Sequence, residues 1–353
     1  MTILSRLLLP QKGSEEFSEV AGEVKAMSRD RFADLLMLAN ENHVIVRGME
    51  VFLEIAREAG DKERAEWAET ALTVERARID TAVSFLSAIC AGFEEEGHDV
   101  TVIKSLDHWP DLGSDLDLYT NTDPEIVIQM MKDRFQAELA TRSWGDRLAC
   151  KWNFIIPGLP ESVEIHMGRL GQTGEQMAIA SSLAERSRRV KVGNYTFPVT
   201  SVSDRLMISV LQRMYRHFYF RLCDILDSAG LVESDAVDYA DLRSAAERAG
   251  IWEGVATYLA IVSDYVEQYR GSGINLPHFV RASARFGGSE VFYRKNFLRV
   301  PIMPQSAGLY GLQLTGLLKK RELHSTARLG LLPWLATAAM VGQKITGSDK
   351  GIW

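Results

Sequence analysis

Three cysteines in 353 residues, Cys90, Cys150 and Cys223, stand far apart and without a CxxC spacing. Disulfide frameworks and zinc sites both call for paired thiols, so these read as reduced, mostly buried residues of a cytoplasmic protein. A basic excess is missing too. Lys and Arg number 40 against 47 Asp and Glu, for a formal net charge of -7. That balance argues against a general nucleic-acid binder, and no stable DNA binding is expected; a local basic groove stays open. The longest uncharged apolar run near the end, Leu329 to Gln343, holds Pro333 and falls short of the roughly 20 residues that span a bilayer. It reads as a buried terminal helix, with contact at a membrane interface as the second option. The opening Met1 to Gln11 is too brief for a secretory leader. Internal repeats and low-complexity segments are absent.

What remains is an ordinary globular composition, 46% hydrophobic and 25% charged. The length suits two or three packed units. Residues 14–96 carry helical periodicity, broken at Gly60-Asp61 and clearest from Arg76 to Glu96, where Ile79, Ala82, Val83, Leu86 and Ile89 share a face. The period then shortens. Asp99 to Lys104, Asp115 to Tyr119, Leu148 to Ile156 and Ser162 to His166 read as strands. Asp123 and Pro124 suit the cap and first position of a helix reaching Phe135. Ser203 to Asp227, Asp235 to Ala249 and Trp252 to Tyr269 read as three helices, while residues 286–330 resist assignment. The expected class is α+β: a small mixed-sheet core between N-terminal helices and a C-terminal helical bundle.

The chemistry concentrates in the core. Asp115 and Asp117 lie two apart on one strand, so both carboxylates share a face while Leu116 and Leu118 point into the interior. Two close carboxylates repel unless a cation sits between them, and Mg²⁺ prefers such hard oxygen ligands. In the later strand Val163 and Ile165 face one side and Glu164 and His166 the other, which makes Glu164 the third candidate ligand.

Val-Ile-Lys104-Ser105, then Ser114-Asp-Leu-Asp-Leu-Tyr119, then Val163-Glu-Ile-His166 resemble the motifs of the DNA polymerase β-type nucleotidyltransferase superfamily, closest to its branch of uncharacterised nucleotidyltransferases. The resemblance continues through His217, Arg221 and Asp224 into "VDYADLRSAAERAG" and covers about residues 76–275. Ser105 stands where that branch tends to have Gly, and Glu164 where Asp is commoner. The resemblance implies four segments: an N-terminal helical extension over 1–75, the nucleotidyltransferase core over 76–200, a helical bundle over 201–290 and a C-terminal extension over 291–353. It also implies an enzyme that moves a nucleoside monophosphate from an NTP, such as ATP, to an acceptor hydroxyl and expels pyrophosphate. Asp115, Asp117 and Glu164 would be both catalytic residues and ligands of two Mg²⁺ ions.

Lys104, Ser105, Ser114 and Arg221 are the candidate nucleotide contacts. Arg213, His217, Arg221 and Asp224 follow one helical stripe, facing either the cleft or a neighbouring helix. His166 is either a supporting partner or a structural histidine. Asp107, His108 and Asp111 read as a solvated loop. The acceptor is open between a small molecule, a protein side chain and an RNA end. The alternative function is a catalytically weak binding or regulatory protein that keeps the fold and acts through its helical regions.

Overall fold

The computed structural model describes residues 1–171 and 178–346, and at 144 and 335–346 the backbone alone. It is α+β, 62% helical, around a seven-stranded mixed sheet.

The chain opens with α1 (Thr2–Leu8), α2 (Glu15–Lys25), α3 (Arg29–Glu41), α4 (Ile45–Glu58) and α5 (Lys62–Glu95). Ser14, Ser28 and Asp61 cap α2, α3 and α5 by accepting the N–H groups of Phe17, Arg31 and Arg64, which satisfies donors each helix start leaves open. The expected break at Gly60-Asp61 separates α4 from α5. The latter then runs unbroken through residues 75 and 76, with Ile79, Ala82, Val83, Leu86 and Ile89 all buried.

The sheet comprises β1 (Thr101–Val102), β2 (Asp115–Thr120), β3 (Glu138–Leu139), β4 (Lys151–Ile155), β5 (Ser162–Met167), β6 (Arg188–Val192) and β7 (Tyr195–Val199), in the order β3-β4-β5-β2-β1-β7-β6. Strands β2 and β5 are parallel, with Asp115 opposite Ser162, Asp117 opposite Glu164 and Tyr119 opposite His166. Leu116, Leu118, Val163 and Ile165 are fully buried. Each such side chain contributes roughly 1.5–3 kcal/mol to holding this register, because a one-residue slip would exchange the apolar and acidic faces. Between β2 and β3 runs α6 (Pro124–Phe135), capped by Asp123 as expected.

Elsewhere the chain departs from the pattern reading. Leu148 closes a short helix, α7 (Trp144–Leu148), because Ser143 and Asp146 cap each other's backbone; the strand starts only at Lys151. After α8 (Leu183–Arg186) comes the β6–β7 hairpin, which sequence reading left unassigned. The expected helix from Ser203 to Asp227 is interrupted. It consists of α9 (Val202–Val210), a π turn over Leu211–His217, β8 (Tyr219–Phe220) and α10 (Leu222–Glu233). Phe218, at φ +56, turns the chain, and Tyr219 and Phe220 pair with Arg299 and Leu298. That pairing partner lies almost 80 residues away, beyond the reach of local periodicity.

Helices α11 (Tyr239–Ala249), α12 (Trp252–Arg270) and α13 (His278–Ser283) follow. The unassigned segment resolves into the hairpin β9 (Phe292–Arg294) and β10 (Phe297–Arg299), then α14 (Ala307–Lys319) and α15 (Leu323–Thr346). In α15 Leu329 is buried, while Leu331 and Trp334 are 57% and 75% exposed; the side chains of 335–343, most of the run expected to form a buried helix, lie outside the described residues. No helix among the described residues is long and apolar enough to cross a membrane.

Candidate active site

Strand register decides the site. Because β2 and β5 run parallel with residue 117 opposite 164, the acidic faces of both strands coincide. Asp117, Glu164 and His166 place ligand atoms within 4.8 Å of one another. Asp115, one pleat earlier on the same face, stands outside that set. Its carboxylate accepts hydrogen bonds from the Ser162 hydroxyl at 3.0 Å and the Ser114 hydroxyl at 3.2 Å. All three expected carboxylates line one cleft of about 250 Å³, together with Lys104, Ser105, Ser114 and Arg221.

Much of the remaining lining is basic: Arg213, Arg216 and His217 come from the π turn, with Tyr219 from β8 and Arg221 at the start of α10. The Arg213 guanidinium is committed to Asp224 at 2.8 Å. Among the described residues neither Arg216 nor Arg221 has an ion-pair partner, and the Arg221 guanidinium lies 6.0 Å from the Tyr219 ring centroid. The helical stripe read from spacing therefore splits: Arg213, His217 and Arg221 face the cleft although the helix is broken, and Asp224 anchors Arg213. His217 is exposed along the cleft; desolvation by the surrounding walls, reinforced by Arg216 and Arg213, lowers its pKa to about 3.

Two lysines already balance part of the acidic charge. The Lys104 ammonium forms an ion pair with Asp117. Lys151, on β4, lies 2.9 Å from Glu164 and 3.0 Å from Asp146. Against a burial effect that favours its neutral form, Glu164 and Asp146 hold the Lys151 pKa above its ordinary value. His166 is almost fully buried, and burial, aided by Lys104, keeps its pKa well below the usual histidine range. It is therefore a neutral imidazole, 3.8 Å from Asp117, with no hydrogen-bond partner on either nitrogen among the described residues. The Asp117 Oδ1 atom is likewise buried, and its partner is the Lys104 ammonium. Carboxylate oxygens gathered this closely, beside a neutral imidazole, fit a hard divalent cation such as Mg²⁺.

The loop before β2 is built to hold these carboxylates. The Asp117 N–H donates to the Ser105 hydroxyl at 2.6 Å, and Ser105 N–H donates to the Ile103 carbonyl at 2.6 Å. Ser105 thus spends both groups on positioning β2, although it borders the cleft. Lys104, at φ +62, makes the turn. Beyond it the loop is not solvated. Asp107 pairs with Arg205 at 3.1 Å, and Asp111 accepts from Val46 N–H at 2.6 Å and from the Arg47 guanidinium at 2.7 Å. His108 meets Asp227 at 2.5 Å, and Arg47 also reaches Asp227 at 2.8 Å. The Arg78 guanidinium on α5 donates to the Leu112 carbonyl at 3.1 Å. The N-terminal helices therefore brace the loop that aims the Asp strand.

Sequence reading missed Lys151, Gln212, Arg216 and His43 in the cleft wall. Lys151 faces His166 across β4 and β5, a register that no single strand encodes. Arg216 follows Arg213 by three residues, and that helical spacing was the available signal. No protein-family model matches the chain, and no curated protein is similar to it.

Proposed function

We propose that the protein is a nucleotidyltransferase that transfers a nucleoside monophosphate from an NTP to an acceptor hydroxyl, with release of pyrophosphate. One observation carries the reading: an acidic face made of Asp115, Asp117 and Glu164 shares a single cleft with Arg216 and Arg221, which have no ion-pair partner among the described residues. Polyphosphate chemistry needs both halves, cations on the oxygens and fixed positive charge on the departing pyrophosphate. Asp115, Asp117 and Glu164 would hold two Mg²⁺ ions, which supply charge neutralisation and a more acidic acceptor hydroxyl.

The chain's own residues divide the remaining work. Arg216 and Arg221 offer guanidinium donors to the triphosphate. Lys104 is the mobile charge: its ammonium rests on Asp117 in the free protein and is free to turn to a phosphate once Asp117 takes a metal. Neutral His166 adds no charge beside Asp117 and keeps a nitrogen lone pair available there. Ser114 and Ser162 hold Asp115 in orientation. The resemblance to the polymerase β-type superfamily supports the same assignment.

A second reading is favoured by the lysine pairs themselves. With Lys104 on Asp117 and Lys151 on Glu164, the acidic face is partly balanced without metal, as in a catalytically weak protein that binds partners through its helical regions. Incubation with Mg²⁺ and each of the four labelled NTPs separates the two. Pyrophosphate release or self-labelling that Asp117→Ala abolishes supports transfer. A folded wild type that binds NTP yet releases no pyrophosphate with any of the four, across candidate acceptors, supports the second reading.

A further inference from the structure

A second constellation lies on the wall of the same cleft, away from the carboxylates. His43, from the turn between α3 and α4, His108, from the loop before β2, and Cys223, in the first turn of α10, bring ligand atoms within 4.8 Å of one another. The His108 Nε2 lies 3.8 Å from the Cys223 sulfur. A tetrahedral zinc ion with Zn–N near 2.05 Å and Zn–S near 2.3 Å sets its nitrogen and sulfur ligands ~3.5 Å apart, so this pair is already close to coordination distance. The other ring nitrogen of His108, Nδ1, is 2.5 Å from the Asp227 carboxylate. A carboxylate on the far nitrogen is what fixes the tautomer and orientation of a metal-binding histidine. The Nδ1 of His43 is buried and has no hydrogen-bond partner among the described residues.

The three segments are held in place without the metal. The Asn42 side chain accepts the Leu222 N–H at 3.0 Å, and its carbonyl accepts the Cys223 N–H at 3.3 Å. The residue before His43 is thus tied to the residues around Cys223. Gly113 lies against the His43 ring; a Cβ there would come within 3.1 Å of it.

We infer that His43, His108 and Cys223 form a zinc-binding site, with Asp227 orienting His108. Two imidazoles and a thiolate are borderline-soft donors that select zinc over Mg²⁺. His43 and His108 also line the cleft, so the fourth ligand comes from that side, as water or as an acceptor group. The alternative chemistry for a Cys, His and Asp in sequence is a nucleophilic triad. Cys223 is fully buried and does not border the cleft, so it cannot meet a substrate. In this site two histidines from distant segments would take the place of the paired thiols expected of zinc from sequence.

The test uses the full chain, stripped with chelator and titrated with Co²⁺ as a spectroscopic substitute and with Zn²⁺ in competition. With excess Mg²⁺ present to occupy the carboxylates, the expected result is a thiolate-to-cobalt charge-transfer band that saturates at one equivalent of Co²⁺ and is displaced by one equivalent of Zn²⁺. Cys90→Ala and Cys150→Ala keep the band, and Cys223→Ser loses it. Asp227→Asn weakens Zn²⁺ affinity by about 10–100-fold. Asp117→Ala leaves all of this unchanged, so failure of nucleotidyl transfer and failure of the zinc site are distinguishable. A wild-type titration without the charge-transfer band overturns the inference, as does a band that survives Cys223→Ser. The wild-type spectrum decides the matter even if a variant does not fold.

Discussion

Lys104→Met isolates the role of the ammonium that rests on Asp117. In the metal-free protein the pair is mostly enclosed, with side chains 18% and 11% exposed. Removing one partner of a fully buried pair costs about 3–5 kcal/mol; the residual exposure here brings the expected loss to ~1–3 kcal/mol. Methionine keeps the apolar stem, so the loss reports the stranded carboxylate rather than lost packing. Neighbouring His166 cannot compensate, because burial holds it neutral. A divalent cation can. Mg²⁺ at 100 times its dissociation constant adds about 2.7 kcal/mol, enough to offset the deficit, and binds the variant more tightly than the wild type because no ammonium competes. The assay is urea unfolding of both proteins in chelator and in Mg²⁺. The variant is expected to be the less stable in chelator and to gain more from Mg²⁺. A variant as stable as wild type in chelator, or one that gains nothing from Mg²⁺, refutes the idea that Lys104 serves as a surrogate cation.

Arg47→Ala removes the partner shared by Asp111 and Asp227; with Asp111 almost fully buried, the expected cost is about 3–5 kcal/mol in urea unfolding, with a fall in turnover as the loop loosens. A variant within 0.5 kcal/mol of wild type, roughly the noise of a surface change, would contradict the bracing role of α4. Arg216→Ala and Arg221→Ala are expected to weaken NTP binding by about 10-fold each with unchanged unfolding midpoints, since neither guanidinium has an ion-pair partner among the described residues; equilibrium titration with labelled NTP checks both. His217 has its folded pKa lowered to about 3. The unfolded chain therefore takes up a proton near pH 6.5 that the folded chain refuses, and stability falls as pH drops below that value. His217→Gln should flatten the acid limb of the stability curve between pH 6.5 and 4, by less than one proton because the ring opens to the cleft. An unaltered limb would show that the ring titrates freely.

The two acidic strands were legible because their signal is local. Alternation of Asp115, Leu116, Asp117 and Leu118 fixes which residues face together, and Val163, Glu164 and Ile165 repeat the code. The capping pair Asp123-Pro124 was equally local. What sequence could not give is register between distant strands. Lys151 enters the site only because β4 pairs with β5, and Phe218 turns the chain because Tyr219 and Phe220 find β10. The loop from Asp107 to Asp111 looked solvated because its partners, Arg47, Arg205 and Asp227, lie between 60 and 120 residues away. The grouping of His43 and His108 with Cys223 was out of reach for the same reason: the three come from separate segments.

The central claim is that the carboxylates of β2 and β5 bind divalent cations next to a polyphosphate. Mn²⁺ titration by electron paramagnetic resonance, with an NTP analogue that cannot be cleaved between its α and β phosphates, tests it most directly. Two Mn²⁺ ions per chain are expected in the presence of the analogue, with the second lost in Glu164→Gln and both lost in Asp117→Asn. Mn²⁺ binding that matches the analogue alone, unchanged by either substitution, would contradict the account.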